Sequence, residues 1–228
     1  MAGGDKNIWI VANWKSNKTI AEALEWIGQV GPQIPKAEWL KVVVCPTFSA
    51  LSEVKKAITV GNFPILVGSQ DLSPFGNGAY TGEESAQNLK ELISLTILGH
   101  SERRQNFAEN DEIVGRKLQK ANESGILPLV CVQSTQTPVP SGCGLVAYEP
   151  SFAIGTGNPD TPENADELAK LLKGSYGEGL EVLYGGSVNS GNVNNFIIQE
   201  YLSGVLVGGA SLDAAEFTKI CKIVGERV

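Results

Sequence analysis

The stretch from Leu180 to Val207 reads LEVLYGGSVNSGNVNNFIIQEYLSGVLV. Leu180–Tyr184 is a short apolar run, closed by Gly185-Gly186-Ser187. Asn192–Gln199 follows with helical character, and Val205–Val207 is a second apolar run. Strand, glycine turn, helix and strand in that order form the repeating unit of a parallel sheet. The same alternation extends back through the chain. Further apolar runs lie at Ile8–Ala12, Leu40–Cys45, Ile65–Gly68, Leu95–Leu98, Leu127–Val132 and Leu145–Tyr148. They are nearly all apolar rather than alternating, which fits strands covered on both faces.

The stretches between them read as helices. Thr19–Val30 groups Ile20, Ala23, Leu24 and Ile27 on one face, and Ser49–Thr59 groups Leu51, Val54 and Ile58. Asp111–Ser124 opens on an acidic residue, which suits a helix N-terminus. Thr161 stands as an N-cap ahead of Pro162, with Ala165, Leu168, Ala169 and Leu172 forming the stripe behind it. Asp213–Val224 supplies the last helix. Eight such strands in 228 residues favour a closed (β/α)8 barrel over an open doubly wound sheet. No G-x-G-x-x-G follows the first strand, which lowers the dinucleotide-fold reading further. No linker or composition shift divides the chain, so residues 1–228 read as a single barrel domain. One interval is irregular. Gln133–Gly144, QSTQTPVPSGCG, has prolines, glycines and no apolar period. The helix between strands five and six is therefore expected to be reduced to a loop, leaving the outer wall thin or otherwise covered.

The composition bounds the function. Twenty-five acidic residues against 18 basic ones give a net charge of −7. Nucleic acid and anionic membrane surfaces are poor partners for such a chain. A small anion is not excluded, since one cation and some backbone N–H groups suffice for it. Cys45, Cys131, Cys143 and Cys221 are scattered with no CxxC pair, so neither a zinc site nor a disulfide scaffold is expected. The first apolar run, Ile8–Ala12, is shorter than the ~7–15 residues of a signal peptide or the ~20 of a membrane span. A cytoplasmic location is the expectation.

Ligands of an α/β barrel bind at the C-terminal ends of the strands. Asn13 and Lys15 follow the first strand, and His100-Ser101-Glu102-Arg103-Arg104 the fourth. Glu149 and Pro150 follow the sixth, Gly185-Gly186-Ser187 the seventh, and Gly208-Gly209 the eighth. Singly, each has an ordinary reading: a solvated lysine, a structural histidine, a glycine turn. Together they share one rim. Glu149 ends an apolar strand, where burial would make a carboxylate a better base. Glycine pairs after strands seven and eight lie where barrels often bind phosphate. Ala153-Ile154-Gly155-Thr156-Gly157 has the composition of a mobile lid. A base, an electrophile, a cation, a phosphate nest and a lid fit proton abstraction beside a carbonyl on a small phosphorylated substrate.

Five motifs carry a resemblance. Asn13-Trp14-Lys15, Ile97 to Arg104, Ala147-Tyr148-Glu149-Pro150 with 153–157, Tyr184 to Val188, and Val207 to Leu212 are similar, in order, to those of the triosephosphate isomerase family. The resemblance implies a TIM barrel that interconverts glyceraldehyde 3-phosphate and dihydroxyacetone phosphate, in glycolysis and gluconeogenesis, with no cofactor and no metal. It implies Glu149 as the base, His100 as a neutral electrophile, Lys15 as the positive charge and Asn13 as an orienting group. Glu102 is implied as a support near Lys15 and the dimer contact. Gly155, Ser187, Gly208 and Gly209 match the phosphate-gripping backbone, and Ile154 with Leu206 the apolar pair over the base. Pro150, Phe152, Ile154, Thr156 and Gly157 fall in the lid. Gly78 to Glu83 resembles a protruding dimer loop, so a homodimer is implied, with Thr81 near the partner's site. The chain departs from the family at Ser151-Phe152 and Asn158-Pro159, in the two lid hinges, and in the missing helix. Another phosphate-binding barrel enzyme would lack the Asn-Trp-Lys and His-Ser-Glu-Arg-Arg signatures, and an inactive scaffold would lack Lys15, His100 and Glu149.

Overall fold

The structure, a computed structural model, describes residues 6–150 and 159–226. Eight parallel strands close on themselves in chain order. They are β1 Ile8–Asn13, β2 Leu40–Cys45, β3 Leu66–Ser69, β4 Leu95–Leu98, β5 Leu127–Val132, β6 Leu145–Tyr148, β7 Glu181–Tyr184 and β8 Leu202–Val207. The ring closes where β1 pairs with β8, Trp9 opposite Gly204 through Ala12 opposite Val207. The helices are α1 Ile20–Val30, α2 Phe48–Gly61, α3 Ala86–Leu89, α4 Ser101–Asn106, α5 Asp111–Glu123, α6 Pro162–Tyr176, α7 Val193–Ile197 and α8 Ala214–Gly225.

Apolar strands become a barrel because both of their faces are buried. Inward side chains such as Val11, Val43, Ile97, Leu129, Ala147 and Leu183 fill the interior. Outward ones such as Ile10, Val42, Val130 and Val182 meet the helices. Helix starts are fixed by side-chain caps. Thr19 caps α1 through a capping box with Glu22, and Thr161 caps α6 ahead of Pro162.

Gly204 shows how tightly the ring closes. Its φ is +144°, and a Cβ there would lie 2.0 Å from the Trp9 carbonyl oxygen. The β7–β8 register slips at the same place, between Val182 and Leu183. We expect Gly204→Ala to cost about 2–3 kcal/mol, the range of a forced backbone shift in a packed core. The urea midpoint measures it, and an unchanged midpoint would contradict this account of closure.

Between β5 and β6 the chain has no helix, as the sequence indicates. A stitched loop covers the wall instead. Val139 is buried in the outer core, and its N–H donates to Tyr176 Oη of α6 at 3.3 Å. Asn122 of α5 donates to the Gly142 carbonyl at 3.3 Å. The two neighbouring helices thus hold the loop that replaces the missing one. Cys131 and Cys143, at its two ends, are both free thiols.

Two sequence readings need correction, and two short helices are added to them. Ile20 and Leu24 are exposed, and α1 buries Trp26 and Val30 beside Ala23 and Ile27. Strand β8 begins at Leu202 rather than Val205, because Ser203 and Gly204 are also buried. The short helices α3 and α4 lie in segments that carry no helical stripe in the sequence.

Candidate active site

The rim residues converge on one cavity of about 250 Å³ at the C-terminal ends of the strands. Asn13, Lys15, His100, Glu149, Ser187, Gly208 and Gly209 all line it, with Leu206 among the apolar residues. Each is set by the strand before it. Asn13 ends β1, buried, and its Oδ1 accepts the Lys15 N–H at 3.0 Å. That turn holds Lys15 at φ +53°, in the left-handed region. Gln70, just past β3, donates to the carbonyls of Lys15 at 2.8 Å and Cys45 at 3.0 Å. The Lys15 ammonium lies 2.5 Å from Glu102 Oε1.

His100 caps α4. Its Nδ1 accepts the Glu102 N–H at 3.2 Å, which assigns the ring proton to Nε2. Nε2 lies 3.0 Å from Glu149 Oε1. Burial works against charge on this imidazole, and so does Lys15. The neighbouring carboxylates, Glu149 before Glu102, outweigh them and raise its pKa above the ordinary 6.5. That direction depends on Glu149 staying where it is.

Glu149 is 1% exposed. Its Oε2 accepts the Ser101 N–H at 3.1 Å, so the carboxylate is held against the start of α4. Gly185 is needed beside it, because a Cβ there would lie 2.9 Å from Glu149 Cγ and 3.2 Å from the Tyr148 carbonyl. At the far side of the cavity, Ser211 bonds back to the Gly208 carbonyl through both its N–H, at 2.8 Å, and its Oγ, at 2.7 Å. This shapes the turn that carries Gly208 and Gly209. Chemically, the cavity brings together a carboxylate, an N–H donor, a cation and glycine backbone. Such a pocket suits a small carbonyl compound bearing an anionic group.

The family model described as triosephosphate isomerase matches residues 8–224. The triosephosphate isomerase of Endomicrobium trichonymphae is 36% identical over 244 residues, covering 93% of this chain and 97% of that protein. That of Alkaliphilus metalliredigens is 38% identical over 243 residues, covering 92% and 97%. The crystal structure of triosephosphate isomerase from Bartonella henselae superposes with a TM-score of 0.82 at 30% identity, covering 96% of this chain and 99% of that one. The chain belongs to the triosephosphate isomerase family. It is an isomerase of the triose phosphates, interconverting glyceraldehyde 3-phosphate and dihydroxyacetone phosphate.

Not every expected part of the triosephosphate isomerase site can be placed. Pro150 is buried at the end of β6, whereas Phe152, Ile154, Gly155, Thr156 and Gly157 lie outside the described residues. Other parts were not anticipated. Val188 and Ala210 fall within two of the motifs without an assigned role, while Gln70 and the cavity-lining Asn189 carry no motif of their own. Nor does a buried ion network behind His100. Lys117 Nζ lies 2.7 Å from Asp71 and 2.9 Å from Glu109, and Arg103 Nε lies 2.8 and 2.6 Å from the same two carboxylates. Glu109 also accepts the Gly99 N–H at 3.3 Å, which ties the network to the turn before His100. Burial would raise the pKa of Glu109, but Lys117 and Arg103 prevail and hold it below 4.5.

Proposed function

We propose that Glu149 is the base and His100 the electrophile of this isomerisation. The observation that carries the reading is the 3.0 Å approach of His100 Nε2 to Glu149 Oε1 in a cavity shared with Lys15 and the glycine turns. Glu149 leaves the Ser101 N–H and takes a proton from the carbon beside the substrate carbonyl. The C–H electron pair becomes the carbon–carbon double bond of the enediolate, and the carbonyl π pair passes to oxygen. His100 Nε2–H and the Lys15 ammonium stabilise that oxygen, with Asn13 orienting it. Glu149 then returns the proton to the neighbouring carbon while the hydroxyl proton passes between the two oxygens. Once Glu149 turns to substrate, the contact that raised the His100 pKa is gone, and burial favours the neutral ring. Glu102 holds Lys15 in place through their ion pair.

Ser187, Gly208 and Gly209 are assigned to the phosphate, joined by Gly155 on sequence grounds. Pro150, Phe152, Ile154, Thr156 and Gly157 are assigned to the lid on the same grounds, and Leu206 to the apolar cover of the base. One catalytic domain is proposed for the whole chain.

A homodimer through the loop Gly78 to Glu83 belongs to the same reading. That loop is exposed yet internally fixed. Phe75 and Tyr80 stack at 4.3 Å, and the Ser73 N–H reaches the Glu84 carbonyl at 2.8 Å. Large exposed side chains follow three adjacent strands, Phe48 after β2, Tyr80 after β3 and Phe107 after β4. A two-fold contact at this end would cover them and bring Thr81 toward the partner's site. Among the described residues no helix is long and apolar enough to cross a membrane. The free thiols suit a reducing compartment, and the cytoplasm is proposed, with the reversible reaction serving glycolysis and gluconeogenesis.

The test is isomerisation of glyceraldehyde 3-phosphate by the purified chain across a dilution series, with sedimentation alongside. We expect turnover, a mass twice the 24.2 kDa of the chain, and falling specific activity as the dimer dissociates. A 24.2 kDa species of undiminished activity would refute the dimer, and absent turnover at every concentration would refute the site.

A further inference from the structure

Lys18 lies outside the ring of residues that line the active-site cavity. Its backbone is nonetheless held at φ +72°, a left-handed conformation that an ordinary side chain disfavours. Capping of α1 does not demand it, because Thr19 and Glu22 complete that box by themselves. The side chain explains it better. Lys18 is half-buried, with its ammonium 5.4 Å from the ring centroid of Trp14. The same ammonium donates to the Leu212 carbonyl at 2.8 Å.

Leu212 ends the 3-10 turn Gly209–Leu212. The carbonyl before it, that of Ser211, is taken by the Trp26 indole N–H at 3.0 Å. Two consecutive carbonyls of the turn are therefore fastened from the β1–α1 side of the barrel. The first residues of the same turn, with Gly208 before them, line the cavity beside Lys15. A Cβ on Gly208 would lie 3.6 Å from Lys15 Cε. A charged donor on the last carbonyl opposes rotation of the whole turn and thus fixes the backbone at its other end.

We propose that Lys18 is a positioning residue that clamps the turn after β8 to the loop after β1, and so sets the grip on the substrate phosphate without touching it. The proposal rests on the assignment of Gly208 and Gly209 to the phosphate.

Lys18→Gly is the informative variant, since glycine accepts φ +72° and loss of the side chain adds no strain. We expect kcat/KM for glyceraldehyde 3-phosphate to fall about tenfold and the inhibition constant of inorganic phosphate to rise as much, with kcat/KM for phosphate-free glyceraldehyde kept within about twofold. Lys18→Arg should restore both values, because a guanidinium also lies over an aromatic ring and donates to a carbonyl. Unchanged values in Lys18→Gly overturn the proposal. Equal losses with both substrates also overturn it, as they would mark a loss of folded enzyme, and so does a Lys18→Arg as impaired as Lys18→Gly. Gly209→Asp, assayed in parallel, separates the proposal from its premise. If Gly209→Asp selectively impairs the phosphate ester and Lys18→Gly does not, the clamp fails and the phosphate turn stands. If neither is selective, the assignment of the turn itself fails.

Discussion

Glu149→Gln lowers kcat by about 10³- to 10⁴-fold and leaves the barrel folded, the upper range for loss of a positioned general base. The glutamine keeps the size of a side chain that is 1% exposed, and its amide oxygen can still accept the Ser101 N–H that Glu149 Oε2 accepts at 3.1 Å. What it cannot do is carry a proton from one carbon to the next. The loss corresponds to about 4–5 kcal/mol of barrier. Its NH2 group then faces His100 Nε2–H, donor against donor, so stability should fall by about 1–3 kcal/mol, the cost of an unmade buried hydrogen bond, with the fold kept. The decisive measurement pairs turnover with exchange of solvent hydrogen into the substrate carbon. Both should collapse together. Turnover within tenfold of the parent would place the base elsewhere.

His100→Asn is expected to lower kcat by about 10²- to 10³-fold, the size of losing one donor to a developing oxyanion. Asparagine is chosen because it is a strong N-cap. Its carbonyl can accept the Glu102 N–H that Nδ1 accepts at 3.2 Å, which keeps the start of α4. Its shorter side chain leaves nothing where Nε2 stands, 3.0 Å from Glu149 Oε1. The substrate phosphate contacts are untouched, so KM should move little. An equal loss in KM and kcat with a lower unfolding midpoint would show that the ring matters for the turn and not for the chemistry.

The ring of strands was legible because its strands are buried on both faces. Leu40–Cys45, Leu95–Leu98, Leu127–Val132 and Leu145–Tyr148 stand out as nearly all-apolar runs and match the observed strands residue for residue. β8 was read short because Ser203 and Gly204 are polar or small, although the bulge makes both necessary. Spacing on α1 groups Ile20 with Leu24 and equally well Trp26 with Val30, and only the packed neighbour decides between the two faces. The rim residues were legible because each follows its own strand. The ion network was not, since Asp71 follows β3, Arg103 lies in α4, Glu109 follows α4 and Lys117 lies in α5. No period or motif joins those four positions, and folding alone makes them neighbours.

The loop stitched between α5 and α6 separates two requirements that helices usually satisfy together. A parallel ring needs a return path to the start of each strand, and it needs a cover over its outer surface. Here a strap supplies the first, while Val139, Asn122 and Tyr176 together supply the second. Among the described residues the strap itself lines no part of the cavity, while the end of β5 supports the base, the Val132 carbonyl accepting the Glu149 N–H at 2.8 Å. The barrel therefore has a natural splice site. Lengthening a surface strap costs only slowly with added residues, about 0.6 kcal/mol for each doubling. A foreign peptide or small module set at the exposed Thr135-Gln136 would lengthen the strap without displacing the buried Val139.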